Sequence, residues 1–135
     1  MSGVIIDTCM WSLAFRGEKP REARVAREIG NLIDENRAKI IGLIRQEVLS
    51  GYSDMQSYTE LRDKLRYFPN EPTIDADYEV AAEYSNLCRK NGIQGSHADF
   101  LICAVATRLK MKIYTNDKDF HHYSKYLPLE LHEEN

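Results

Sequence analysis

The chain has 135 residues, of which 43% are hydrophobic and 29% charged, the composition of one ordinary globular domain spanning 1–135. Disorder, a collagen-like repeat and a membrane-embedded chain are excluded, since the longest apolar run, Phe100 to Ala106, is far short of the ~20 residues a bilayer span requires. The 18 basic and 21 acidic residues leave a net charge of −3, which excludes a generic basic nucleic-acid coat but not a local basic patch, because net charge carries no distribution.

In chain order, Val4-Ile5-Ile6 is a β-branched run that stops at Asp7 and predicts a first strand. Val25, Ile29, Leu32 and Ile33 recur at i, i+4, i+7 and i+8, one face of a helix. Ile40-Ile41 is a second strand candidate, followed by a helix from Leu43 to Ser50 that Gly51 ends. Leu61, Leu65 and Phe68 mark a helix ended by Pro69, and Pro72-Thr73-Ile74 is read as a short strand. Asp75 is expected to cap the next helix, whose inner face holds Val80, Tyr84, Leu87 and Cys88 and which Asn91-Gly92 closes.

From Ser96 onward runs a helix apolar on nearly every side, which predicts burial. Lys112 to Thr115 and Leu129 to Leu131 complete the strand candidates. Strands alternating with helices predict an α/β fold with a mostly parallel, five-stranded sheet flanked by helices. In such sheets, ligands bind beyond the carboxyl ends of the strands. That directs attention to Asp7 and Asp117.

The cysteines, Cys9, Cys88 and Cys103, are odd in number and form no C-x-x-C. No basic-then-apolar leader opens the chain. Both features favour a reducing, cytoplasmic setting over a disulfide framework or a membrane partner.

Four acids sit in or against apolar segments: Asp7, Glu47, Asp99 and Asp117. Each also fits an ordinary role. Asp7 reads equally as a helix cap, Glu47 as a surface residue, Asp117 as a loop residue, and Asp99 as the third helical position of a capping box begun by Ser96. Together they say more. Two carboxylates ~4 Å apart repel by about 4 kcal/mol at an effective dielectric near 20, so four in one pocket call for a cation. All-oxygen donors favour Mg²⁺ or Mn²⁺, and one or two such ions can drive phosphodiester hydrolysis. His97, His121, His122 and His132 form no H-E-x-x-H and have no cysteine nearby in sequence, which argues against zinc.

At these residues the sequence resembles the PIN-domain nucleases, and within them the VapC-type toxins of toxin–antitoxin pairs. Asp7-Thr8-Cys9-Met10-Trp11 is similar to the family's opening D-T-S-x-W, with Cys9 in place of serine. Gln46-Glu47-Val48-Leu49 resembles the segment carrying its glutamate. Ser96-His97-Ala98-Asp99 through Ala106 resembles the S-x-x-D helix, and Thr115-Asn116-Asp117-Lys118-Asp119-Phe120 the T-x-D-x-D-F segment. The resemblance implies a metal-dependent endoribonuclease with Asp7, Glu47, Asp99 and Asp117 around the metal, a homodimer, and an antitoxin protein that covers the pocket with an arginine.

Asp117 lies closest to the strand end and is assigned to the metal, Asp119 to structure as a turn cap. Thr115 is expected to orient Asp117, with Thr8, Ser96 and Asn116 supporting the site. Arg45 and Lys118 are the nearest basic residues in sequence for RNA. Two other classes remain in view: a PIN scaffold that binds RNA or protein without cutting it, and a phospho-accepting receiver domain. The receiver needs an acidic pair after the first strand, which Ile6-Asp7-Thr8 lacks. A haloacid-dehalogenase-type phosphatase needs D-x-D, and position 9 is Cys9.

Overall fold

The computed structural model describes residues 2–134. Four short parallel strands build the sheet: β1 (Val4–Ile6), β2 (Ala38–Ile41), β3 (Asn70–Glu71) and β4 (Lys112–Tyr114), in the order β3-β2-β1-β4. Val4, Ile5 and Ile6 are fully buried, as expected of a central parallel strand covered on both faces. Val4 pairs with Ala38 on one side and with Lys112 on the other.

Helices α1 (Thr8–Arg16) and α2 (Pro20–Asp34) connect β1 to β2; α3 (Gly42–Ser50) and α4 (Met55–Leu65) connect β2 to β3; α5 (Asp75–Lys90) and α6 (His97–Leu109) connect β3 to β4. Connections of this kind are right-handed. The first two steps move one way across the sheet and the third returns past β1. The direction therefore reverses between β1 and β4, which makes their adjoining carboxyl ends the topological switch point. A last short helix, α7 (Asp119–Tyr123), follows β4.

Local chemistry explains most boundaries. Gly17 ends α1 in the left-handed region at φ 66°, Pro20 opens α2 at its first turn, and Ser96 caps α6 by accepting from Asp99 N at 3.0 Å. Helix α1 places Met10, Trp11, Leu13 and Ala14 at i, i+1, i+3 and i+4, and this face buries Met10, Trp11 and Leu13.

The structure differs from the sequence expectation in three elements. Pairing at the third strand covers Asn70–Glu71 rather than Pro72 to Ile74, because Pro72 has no N–H to give the ladder. Ile74 instead takes the cap position of α5, and the carboxylate of Asp77, not of Asp75, accepts its N–H at 2.9 Å. The fifth strand expected at Leu129 to Leu131 is a single parallel bridge between Leu131 and Ile113. Its two backbone bonds surround Ile113 alone, since β4 is only three residues long and His132 departs to meet Glu28 at 2.7 Å. On α5, Cys88 is buried and Val80 and Tyr84 are half-buried, but Leu87 is exposed. Among the described residues no helix is long and apolar enough to cross a membrane.

Candidate active site

Asp7 leaves β1 at the switch point and caps α1, accepting Thr8 N at 2.8 Å. Its backbone N–H is held by Tyr114 O at 2.9 Å, so the ends of β1 and β4 are joined where the site begins. Thr115, the first residue beyond β4, donates its hydroxyl to Asp7 Oδ2 at 2.8 Å and accepts Asp117 N at 3.0 Å. One side chain thus ties the acid after β1 to the loop after β4. Cys9 lies in van der Waals reach, its Sγ 3.7 Å from Asp7 Oδ2 and 3.6 Å from Thr115 Oγ1.

Asp99 stands in the first turn of α6 and accepts the Tyr123 hydroxyl on Oδ2 at 2.7 Å. Asp117 accepts Asp119 N at 2.9 Å, closing the turn that leads into α7. One carboxylate oxygen from each of Asp99, Asp117 and Asp119 lies within 4.8 Å of the others. Glu47 is not among these three: Thr8 donates its hydroxyl to Glu47 Oε1 at 2.7 Å and its backbone N–H to Asp7 Oδ1.

The electrostatics show strain between these groups. Burial pushes the Asp7 carboxyl above its ordinary pKa; hydrogen bonds from Thr115, Thr8 and Cys9 pull it down, and the charge on Asp117 pushes it up again. Burial likewise raises Asp99, opposed by bonds to Tyr123 and Ser96 and reinforced by Asp117 and Asp7. Asp7, Asp99 and Asp117 therefore feel one another's charge in a partly dry pocket. Such a set is stabilised when a hard cation is present, and its donors are all carboxylate oxygens, the chemistry that suits Mg²⁺ or Mn²⁺.

The structure corrects or refines several expectations. Asp119 does not cap the turn: Asp117 does, and the Asp119 carboxylate joins the acidic group. Thr115 holds the backbone of Asp117 and donates its hydroxyl hydrogen bond to Asp7, rather than orienting the Asp117 carboxylate. Ser96 acts as a helix cap, and Asn116 is exposed beside Thr115. Lys118 is exposed at the start of α7.

Arg45 is not at the acids. Its guanidinium is taken up by Asn70 Oδ1 at 2.8 Å, Leu65 O at 2.9 Å and Phe68 O, where it closes the corner between α4 and β3. Sequence proximity to Glu47 misled because helical neighbours one and two residues apart do not share a face.

A cavity of about 420 Å³ adjoins the acids across Thr115 and Asn116, and Arg21, Arg24, His121 and Ser124 also line it. Neither this cavity nor Tyr123 was evident from sequence. Arg21 and Arg24 lie in α2, far along the chain from the acidic motifs, and no spacing rule links them to Thr115.

Acids from the ends of β1 and β4 and from the start of α6 are thus gathered at the switch point of an α/β domain, where such folds place their ligands. The PIN-domain profile matches residues 4–126, and the chain belongs to the PIN domain family. Solved structures similar to it include FitAcB from Neisseria gonorrhoeae, with a TM-score of 0.77, 18% identity and 96% of each chain covered. They also include VapBC2 from Rickettsia felis bound to a DNA fragment from their promoter, at 0.77, 15% and 98%, and VapBC-1 from nontypeable Haemophilus influenzae, at 0.74, 12% and 96%. At these identities the likeness establishes the shared fold. No curated protein matches the chain in sequence.

Proposed function

We propose that this chain is a divalent-metal-dependent endoribonuclease and the toxin member of a toxin–antitoxin pair. The observation that carries the reading is the meeting of Asp99, Asp117 and Asp119 within 4.8 Å, beside a buried Asp7 that shares their field. Asp7, Asp99, Asp117 and Asp119 are the residues that would hold the cation, with Glu47 attached through Thr8. When bound, Mg²⁺ or Mn²⁺ supplies a Lewis acid and a water of lowered pKa for phosphodiester hydrolysis.

The chain's own residues do the remainder. Thr115 keeps Asp7 turned toward the loop after β4. Asp117 stays fixed through its bond to Asp119 N. Arg21 and His121 offer donors to RNA phosphates along the adjoining cavity, where Arg24 is instead paired with Glu134; these replace Arg45 as candidates for substrate contact, and Lys118 is exposed to a passing strand.

An antitoxin partner is supported by the similarity to the FitAcB and VapBC2 structures. An arginine from such a partner matches carboxylate geometry and can stand in for the cation's charge. The homodimer comes from the family resemblance, and the exposed Tyr78, beside the apolar groove lined by Leu43, Ala81 and Leu101, offers it a surface.

Cleavage of RNA by the purified chain should require Mg²⁺ or Mn²⁺ and disappear in chelator. Asp99→Asn should abolish it with circular dichroism unchanged. Full cleavage in excess chelator would overturn the metal assignment. Asp117→Asn and Asp119→Asn, assayed across Mn²⁺ concentrations, should both need more metal for half-maximal rate. A defect confined to stability in Asp119→Asn would return that residue to a structural role.

A further inference from the structure

We propose that Tyr123 is a positioning residue for the cation site, its hydroxyl holding the Asp99 carboxylate in the orientation that meets Asp117 and Asp119. The inference rests on the metal reading above and adds a residue to it.

The geometry is closed on every side. Tyr123 is fully buried, and its hydroxyl donates to Asp99 Oδ2 at 2.7 Å. The ring packs against Phe100 with centroids 5.0 Å apart and against Phe120 at 5.3 Å. Behind the hydroxyl lies Gly95. A Cβ there would collide with the Tyr123 hydroxyl and come within 2.8 Å of Phe100 Cζ. Gly95 is not in the left-handed region, so what it provides is space for the phenol and not backbone freedom.

The hydroxyl is the part of Tyr123 that the apolar packing does not require. Burying it without a partner is unfavourable, and its partner is the one acid of the group carried by α6. Asp99 faces two other carboxylates within 4.8 Å, whose repulsion would rotate it out of the group in the absence of a cation. A phenol donor resists that rotation without adding charge. A lysine or arginine at the same place would resist it too, but would cancel the negative field that attracts the cation. Helix α7, which carries Tyr123, begins at Asp119, so the segment that supplies two of the acids also supplies the donor that orients the third.

The experiment is Mn²⁺ binding by titration calorimetry to metal-free wild-type protein, Tyr123→Phe and Asp99→Asn, with thermal melts of each metal-free form. Tyr123→Phe keeps the ring, so its metal-free melting temperature should stay within about 3 °C of the parent. Its Mn²⁺ dissociation constant should rise about tenfold, the usual scale for losing a group that orients a ligand. A constant within twofold of the parent would overturn the proposal while leaving the metal site standing.

Should Tyr123→Phe melt much lower, Phe120→Leu serves as the comparison, because it loosens the same packing and retains the hydroxyl. Unimpaired Mn²⁺ binding in Phe120→Leu then supports the proposal, and an equal loss overturns it. Failure of the wild-type protein to bind Mn²⁺ would instead remove the metal reading and this inference with it.

Discussion

Asp7 is a carboxylate that folding penalises for being charged. Burial is the main cause, and Asp117 adds to it. Its folded pKa lies above its unfolded value of about 4, so the folded chain binds that proton more tightly than the unfolded chain does. Stability therefore falls as pH rises from about 4 through the folded pKa, and the full cost is present above it. Asp99 has the same sign. In chelator, Asp7→Asn should melt above the parent at pH 7, with the gap closing toward pH 4; thermal melts across that range check it. Mn²⁺ at 100 times its dissociation constant should stabilise the parent by about 2.7 kcal/mol, read as a rise in melting temperature, and Asp7→Asn should lose most of that rise. Thr115→Val keeps the shape but removes both the donor to Asp7 and the acceptor for Asp117 N. It should cost about 1–3 kcal/mol in urea denaturation and weaken Mn²⁺ binding.

The pair α5–α6 is clamped at one end by a single charged contact. Arg108 on α6 donates to Asp77 Oδ1 at 2.8 Å and to Oδ2 at 3.0 Å, and Ile74 N adds a third bond at 2.9 Å. Burial works to raise the Asp77 carboxyl, but these bonds outweigh it and hold the pKa below its ordinary value. Here the linkage runs the other way from Asp7: the contribution is present above the unfolded pKa and is lost as pH falls through the folded one. Asp77→Asn should destabilise by about 2 kcal/mol at pH 7, with the difference fading in acid; urea titrations at both ends of the range measure it. The clamp also explains why the residues after Pro72 cannot continue the sheet. Pro72 O is itself taken by Arg108 Nη2 at 2.6 Å, and Ile74 is committed to starting α5.

Across the whole molecule, the last residues of the described chain act as a strap over β4. Leu129 is buried, Ile113 exchanges backbone bonds with Glu130 and His132, and the His132 ring meets Glu28 at 2.7 Å with both side chains under a tenth exposed. Arg24 and Tyr114 hold Glu134 at 2.9 and 2.5 Å. Truncation after Leu127 should cost roughly 3 kcal/mol or more, since it opens a cavity at Leu129 and leaves Glu28 buried without its partner. Urea denaturation reads the loss, and size-exclusion chromatography reads any pairing through the exposed β4 edge.

The sequence by itself determined what local pattern can encode. Val4-Ile5-Ile6-Asp7 carried the central strand and its terminal acid. Ser96 and Asp99 carried the start of the buried helix, and Thr115 to Phe120 carried the loop after β4. Order and spacing were enough to reach the PIN family, but the acids that meet within 4.8 Å include Asp119, which the sequence reading assigns to structure, and not Glu47. Tertiary structure alone decided which groups touch. Thr115 and Asp7 are 108 positions apart, His132 and Glu28 are 104 apart, and Tyr123 and Asp99 are 24 apart. None of these pairs has a spacing that helix or strand periodicity marks. Arg45 shows the converse, a residue near Glu47 in sequence whose contacts lie at Asn70, Leu65 and Phe68. The physical reason is the same in each case: side-chain periodicity sets which face an element buries, whereas the reversal between β1 and β4 sets which elements meet.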